Sequence, residues 1–467
     1  ELPPSMQKLL ERDWIGNKAG QGYYKREGND FLHIHFRTFE YGPVDPVSLP
    51  GADELMAMPL AERLQAALQA KGEIGEYVRM HVPAILQYAM EVGKEISLGV
   101  ADFDNVMKWG FGWERGPFEM VDSIGYENLQ PHMTASPLKA VGKFYLDARA
   151  WDFRSDAHEQ LPKDERTMTT EEMPVTQSGE GFNVRRFADG HYAFQFRTKM
   201  NALDPSLLEG LQRHIESHPG ARVTLLGDSR AFSAGFNLRL LLDAAEQQRF
   251  DEVRTWLVRL QSVAKALQSV PSVAAVEGFC LGGGLELALH CSRAVFHPEA
   301  LIGLPEALVG VLPAGGGTAF VRMATQGDAK RMAKAAMTVA LGVKVSAAAA
   351  EGTPYFRATD ALLINPDFMV YSAMNLAPGS VVAAKWEPAP GPLGAMIESE
   401  IETARSKGEL TEYGAYIAEQ IKHIFTKATS EEEALEMEVE AFLRLLGNAL
   451  TQNRIKHMIE TGKPLNN

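Results

Sequence analysis

Two stretches of this chain repeat one plan. ARVTLLG (221–227) is followed by the small-residue loop DSRAFSAGFN and the apolar-periodic LRLLLDAAEQQ, and SVAAVEG (272–278) is followed by FCLGGG and LELALHCSRAV. Short apolar runs bounded by glycine read as buried strands, and the longer periodic runs after them read as helices. Gly235 and Gly282 hold corresponding places 47 residues apart. The plan is therefore read as successive turns of one α/β superstructure, not as a short solenoid repeat, because outside it the two stretches are dissimilar. Just before them, FNVRRFADGHYAFQFRT (182–198) reads as two strands joined by a hairpin turn at 188–190.

The flanks follow another grammar. Residues 1–50 combine a short helical pattern, the glycine-rich WIGNKAGQGYY and the alternating FLHIHF. From about Leu55 to Leu98 apolar residues recur at three- and four-residue steps (Leu60, Leu64, Leu68, then Val78, Val82, Leu86, Met90), which predicts consecutive helices. Residues 101–125 are richer in glycine and aromatics, and 131–150 resume a helical pattern. The polar stretch Ser155 to Gly181 reads as a linker, with a domain boundary near Glu180. Beyond a Pro/Gly-rich patch (APGS, EPAPGPLG) the tail is helical, its many charges read as a solvated face. The expected organisation is 1–50, 51–154, a 155–181 linker, 182–377 and 378–467: an α/β domain with all-α flanks. The start at Glu1 rather than Met reads as a processed or truncated terminus.

Composition narrows the chemistry. With 45% apolar and 23% charged residues over 467 positions, the chain has the balance of a soluble globular protein of about three domains. A net charge of −14 argues against a general nucleic-acid binder, so a phosphate-bearing ligand would need locally placed Lys or Arg. Cys280 and Cys291 fit neither a CxxC knuckle nor a disulfide framework, which suggests a reducing cytoplasm. There is no run of about 18 apolar residues and no signal-peptide pattern, so no integral-membrane segment is expected. G-x-x-x-x-G-K, G-x-G-x-x-G, G-x-S-x-G and HExxH do not occur. His33 and His35 make two metal ligands at most and read as surface or packing residues; no metal is expected.

The two glycine loops are where chemistry can sit. Glycine between strand and helix lets the backbone approach a ligand, and the helix start leaves N–H groups without intrahelical partners. The N–H groups of Phe236 and Gly283 could thus converge on one oxygen as an oxyanion hole, where a lost donor typically costs about 3 kcal/mol of catalysis; equally, the glycines could merely permit tight turns. Glu286 sits among Leu285, Leu287, Ala288 and Leu289. Facing the core it would be desolvated and suited to act as a base; facing outward it would be an ordinary surface acid. Glu306 follows Pro305 between apolar runs, and two carboxyl groups suit adding or removing water across a double bond.

Four blocks, RTKMNALD (197–204), AFSAGFNL (231–238), GFCLGGGLELALHC (278–291) and GLPEALVGVLPAGGGT (303–318), stand in the order of the crotonase (enoyl-CoA hydratase) superfamily, which residues 182–377 resemble. The resemblance implies a ββα superhelix, oxyanion amides at Phe236 and Gly283, catalytic glutamates at Glu286 and Glu306, and CoA contacts at Arg197, Lys199 and Ala234. Phe236-Asn237 stands where Ala-Asp is usual. WIGNKAGQGYY and residues 101–125 resemble the ends of two helical C-terminal repeats of 3-hydroxyacyl-CoA dehydrogenase. The tail RIKHMIETGKPLNN is similar to that of bacterial fused dehydrogenase–hydratase proteins of fatty-acid β-oxidation. What this implies is an enoyl-CoA hydratase that needs no cofactor, with NAD confined to a dehydrogenase half whose Rossmann domain is missing, and with a thiolase as possible partner. A Δ3,Δ2-enoyl-CoA isomerase and a non-catalytic acyl-CoA-binding scaffold stay open beside it, as does the oligomeric state.

Overall fold

The computed structural model describes residues 2–28, 30–44, 48–134, 142–161, 164–379 and 385–467. The chain divides into two compact units, Glu1–Pro162 and Lys163–Asn467.

In the first unit, the helix Pro4–Glu11 and an antiparallel sheet of Tyr24–Glu27, Asp30–Ile34 and Tyr41–Pro43 enclose a small core of Leu9, Ile34 and Phe39. The helices Leu60–Gln69, Gly72–Ile96, Val100–Phe111 and Pro117–Ile124 pack around Leu68, Leu86, Met90 and Phe118. The glycine-rich stretch 101–125 is thus mostly helical. Gly112 ends one helix at φ +67° and Pro117 opens the next, the two places where these residues suit a helix.

Residues 131–150 do not continue as a helix where they are described; 135–141 lie outside the described residues. Tyr145–Leu146, Arg149–Asp152 and Ala157–Gln160 form an antiparallel sheet. The Asp122 carboxylate accepts from Phe144 N and Tyr145 N at 2.8 Å each, holding this backbone extended. The expected linker is divided likewise. Its first part closes that sheet, and Val175–Gly179 is an edge strand of the second unit, so the units part at 162/163 rather than near Glu180. Edge strands with one wet face have the polar composition of a loop, which is why pattern alone misplaces them.

The second unit winds strand, strand, helix. Arg222–Leu226, Ser272–Val276 and Arg293–Phe296 are neighbours in a seven-stranded sheet that continues through the predicted hairpin, His191–Phe196 with Phe182–Ala188, to the edge strand Val175–Gly179. Each of the three is followed by a short strand of a second sheet: Ala231–Ser233, Phe279–Leu281 and Leu301–Gly303, all parallel. The small-residue loops therefore contain strands of their own. The helix predicted over LELALHCSRAV stops at His290, and Arg293–Phe296 is a central strand. Arg357 Nη1 caps the helix end at Leu289 O (2.7 Å), and Ser292 N donates to Ser272 Oγ (3.0 Å).

No boundary falls at 377/378. The helices Leu393–Ser406, Glu412–Lys427, Glu431–Leu446 and Ala449–Thr461 share one hydrophobic core with the strands, Ile397, Phe425, Leu445 and Ile455 joining Leu285 and Phe296. Glu432, Glu436 and Glu440 do form a solvated stripe, but the opposite face is buried. The last helix grips the turn after Leu301–Gly303: Thr451 Oγ1 donates to Gly310 O (2.6 Å) and Arg454 Nη1 to Ala307 O (3.0 Å), while Arg454 Nη2 reaches Thr411 Oγ1 (2.9 Å). No helix among the described residues is long and apolar enough to cross a membrane. Replacing Arg454 by Met keeps its stem and removes these charge-assisted bonds. Urea unfolding of the second unit should lose about 3 kcal/mol, whereas a loss below about 1 kcal/mol would mean that solvent satisfies these carbonyls.

Candidate active site

The two glycine loops meet. Gly282, at φ 54° and ψ −130°, opens the helix Gly283–His290, and a Cβ there would lie 2.9 Å from Glu306 Oε1. Gly235 stands at φ +94°, where a Cβ would lie 3.0 Å from Leu281 O and 3.7 Å from Gly283 N. Only glycine allows this approach. Phe236 runs beside Leu203: Leu203 N donates to Gly235 O (2.8 Å) and Asn237 N to Leu203 O (2.9 Å). The N–H of Phe236 takes no part in that ladder, and the N–H of Gly283, first in its helix, has no intrahelical acceptor. The Phe236 ring lies half-buried against Trp256, centroids 6.1 Å apart at 22°, so its side chain packs on a helix.

Glu286 faces the core, 2% exposed. Its Oε1 accepts from Gly315 N (2.8 Å) and Gly317 N (2.7 Å). Burial pushes its pKa up to about 7, with the two N–H groups acting in the opposite direction. Glu306 has its Oε2 buried without a hydrogen-bond partner among the described residues. Burial, and then the charge of Glu286, hold its carboxyl well above the usual carboxylate range. Ala234, Phe236, Gly283, Glu286 and Glu306 all line one cavity of about 550 Å³. The rest of its wall is mostly apolar, with Leu260, Leu308 and Met458 among the side chains.

Of the residues singled out in the sequence, Arg197 and Lys199 are exposed and stand outside the cavity lining. Their block contributes differently. Met200 O accepts from Ala234 N (3.1 Å) and Asn201 Nδ2 donates to Ala231 O (2.7 Å), so RTKMNALD braces the loop that carries Phe236. Pattern reading missed Lys344, an exposed cation of the lining, and Phe442 and Met458 from the last two helices. It also missed Glu438, which is 0% exposed. A signal existed, because Glu438 falls four residues after buried Ala434 and four before buried Phe442, on the apolar face of its helix.

Two carboxyl groups raised above the usual range by burial, in a mostly apolar cavity that two helix- and loop-borne main-chain N–H groups also border, suit proton transfer beside a carbonyl whose oxygen gains charge. Residues 191–353 match the enoyl-CoA hydratase/isomerase family. A "Probable 3-hydroxyacyl-CoA dehydrogenase" of Bacillus subtilis is 30% identical across 100% of this chain and 64% of its own length. A "Putative fatty acid oxidation complex trifunctional enzyme" of Rickettsia felis is 22% identical across 98% of this chain and 62% of its own. This chain thus spans less than two thirds of either relative. The human "Peroxisomal bifunctional enzyme" is 38% identical over 125 residues, 26% of this chain and 16% of that protein. A solved enoyl-CoA hydratase from Rhodobacter sphaeroides overlays 61% of this chain and 91% of its own at 17% identity and a TM-score of 0.47. The segment of the second unit that matches the enoyl-CoA hydratase/isomerase family is the one that carries both glycine loops and both glutamates, in a chain similar to proteins named for 3-hydroxyacyl-CoA dehydrogenase and fatty-acid oxidation.

Proposed function

We propose that the cavity adds water reversibly to trans-2-enoyl-CoA thioesters, giving 3-hydroxyacyl-CoA. The observation that carries this reading is the pair of carboxyl groups, Glu286 and Glu306, lining one mostly apolar cavity with Phe236 and Gly283; burial raises both above the usual carboxylate range, Glu286 to about 7. Glu286 takes a proton from the substrate water as its oxygen bonds to Cβ. Electrons move toward the thioester, whose oxygen gains negative charge opposite the N–H groups of Phe236 and Gly283. Glu306 then delivers its proton to Cα. One proton is gained by Glu286 and one lost by Glu306, so exchange between them restores the starting state. The thioester itself makes Cα and Cβ reactive, so the proposed step uses no metal or redox cofactor.

The apolar wall suits an acyl chain, and Ala234 lies where the thioester would pass. Exposed Arg197, Lys199 and Lys344 are assigned to the CoA phosphates. A 3-hydroxyacyl-CoA product is what a 3-hydroxyacyl-CoA dehydrogenase consumes; the NAD-dependent step is proposed to need residues beyond this chain.

Hydration of crotonyl-CoA, followed as loss of the conjugated-thioester absorbance, should fall by about 10²–10⁴ in kcat in Glu286→Gln and in Glu306→Gln. Activity that survives both substitutions would sink the two-acid mechanism. Conversion of 3-enoyl-CoA without hydration would make the cavity an isomerase, and CoA binding without turnover would make it a scaffold.

The pH profile follows from the same pair. Glu286 works as a base only when ionised, so kcat/KM should fall as pH drops through about 7. Glu306 must keep its proton, so a second, alkaline limb is expected. A profile flat from pH 5 to 10 would contradict these assignments.

A further inference from the structure

The loop that holds Glu286 has two sides. Gly315 N and Gly317 N point to Glu286 Oε1. From the other side Glu438, on the helix Glu431–Leu446, takes the alternate amides: Gly316 N donates to its Oε2 (2.9 Å) and Ala319 N to its Oε1 (2.7 Å). Gly316, at φ +101°, is wedged between the two helices. A Cβ there would lie 3.2 Å from His290 on the Glu286 helix and 3.4 Å from Leu435 on the Glu438 helix. Gln261 Nε2 ties the same parts together, donating to Ala314 O and Leu435 O at 2.9 Å each. No lysine or arginine pairs with Glu438 among the described residues. A fully buried carboxyl at an apolar helix position is costly, and these main-chain donors are what offsets it.

We propose that Glu438 is a positioning residue for Glu286: by fixing Gly316 and Ala319 it aims the N–H groups of Gly315 and Gly317 at the base. Glu438 lies outside the segment that matches the hydratase/isomerase family, so the helical tail completes the site in cis. This deepens the proposed function and rests on Glu286 acting as a base.

The groups facing Glu286 fix the sign of the test. Glu306 comes from the turn after Leu301–Gly303, with Tyr355 near it; His290 lies one turn along the Glu286 helix, its Nδ1 2.7 Å from Glu286 O; Glu438 comes from its own helix. Burial keeps His290 neutral, its pKa pushed down to about 4, and holds Glu306 and Glu438 well above the usual carboxylate range. Glu438→Gln keeps the shape of the side chain and changes what it can offer the loop. Its amide oxygen can serve one loop N–H, while its NH2 faces the other donor. Loosening the loop withdraws donors that favour the charged form of Glu286, which moves its ionisation to higher pH.

The acid limb of kcat/KM should thus move up by about one pH unit in Glu438→Gln and further in Glu438→Ala, with kcat recovering at alkaline pH. Gln261→Met, which releases the same clamp without touching a carboxyl group, should move it in the same direction and serves if the Glu438 variants fold poorly. An unmoved limb makes Glu438 a packing residue. A limb moved downward makes it a charge that repels Glu286, and either result overturns the proposal. The same ionisation can be read without turnover as the infrared carboxyl signal lost in Glu286→Gln. A wild type that hydrates nothing would overturn the functional reading, while this signal, compared with and without Glu438→Gln, still decides the role of Glu438.

Discussion

A carboxylate cut off from water stays ionisable near neutrality only if something in the protein donates to it, and for Glu286 the donors are two main-chain N–H groups. Much else is arranged around that need. The donors sit on a run of three glycines because side chains at Gly315 and Gly317 would lie 2.6 Å from the Glu286 carboxylate. The run opens the helix Gly317–Thr325, so its amides are among those a helix leaves free. The alternation of two sheets brings this helix start back past the start of the Glu286 helix, which the second short strand delivers. Fold and site are one construction: the turn that makes the helix possible also supplies the hydrogen bonds that tune the acid.

The helical tail belongs to that construction. Glu438 holds the loop behind Glu286, and Thr451 and Arg454 hold the carbonyls of Gly310 and Ala307 in the turn that carries Glu306. Each proposed catalytic carboxyl is therefore steadied by a helix beyond residue 353, where the family match ends. The same helices supply Phe442 and Met458 to the cavity wall. A tail that read as a charged, separate segment is in physical terms the back wall of the site.

Legibility in the sequence followed the range of the interactions. The hairpin, the buried strands and the glycine loops were legible because they depend on local period and on backbone freedom. Glu286 and Glu306 were legible as acids set among apolar residues, though only the fold brings them to one cavity. RTKMNALD was recognisable as a block, but what the structure shows at its centre is Met200 and Asn201 bracing Ala234 and Ala231, with Arg197 and Lys199 outside the lining. The edge strands near 157–160 and 175–179 were lost because half-exposed strands look like linkers. Glu438 was hidden by its neighbours: in a run of six glutamates within EEEALEMEVE, only side-chain phase separates the buried one from the solvated stripe.

The first unit holds a similar arrangement at an acid that is not among the lining residues of the cavity beside it. Asp104 is fully buried and accepts from Phe118 N and Glu119 N at 2.9 Å each, at the start of the helix Pro117–Ile124. Burial pushes its pKa up to about 6, by the same opposition of desolvation and main-chain donors that acts on Glu286. Tyr145 occupies its remaining side, the hydroxyl donating to Asp104 Oδ2 at 2.8 Å, so this acid joins a helix to a strand and is closed to any reactant. A raised carboxyl pKa is thus no mark of catalysis in this protein. What distinguishes Glu286 is that its two donors engage one oxygen, Oε1, while the group itself forms part of a cavity wall that also includes Glu306, Phe236 and Gly283.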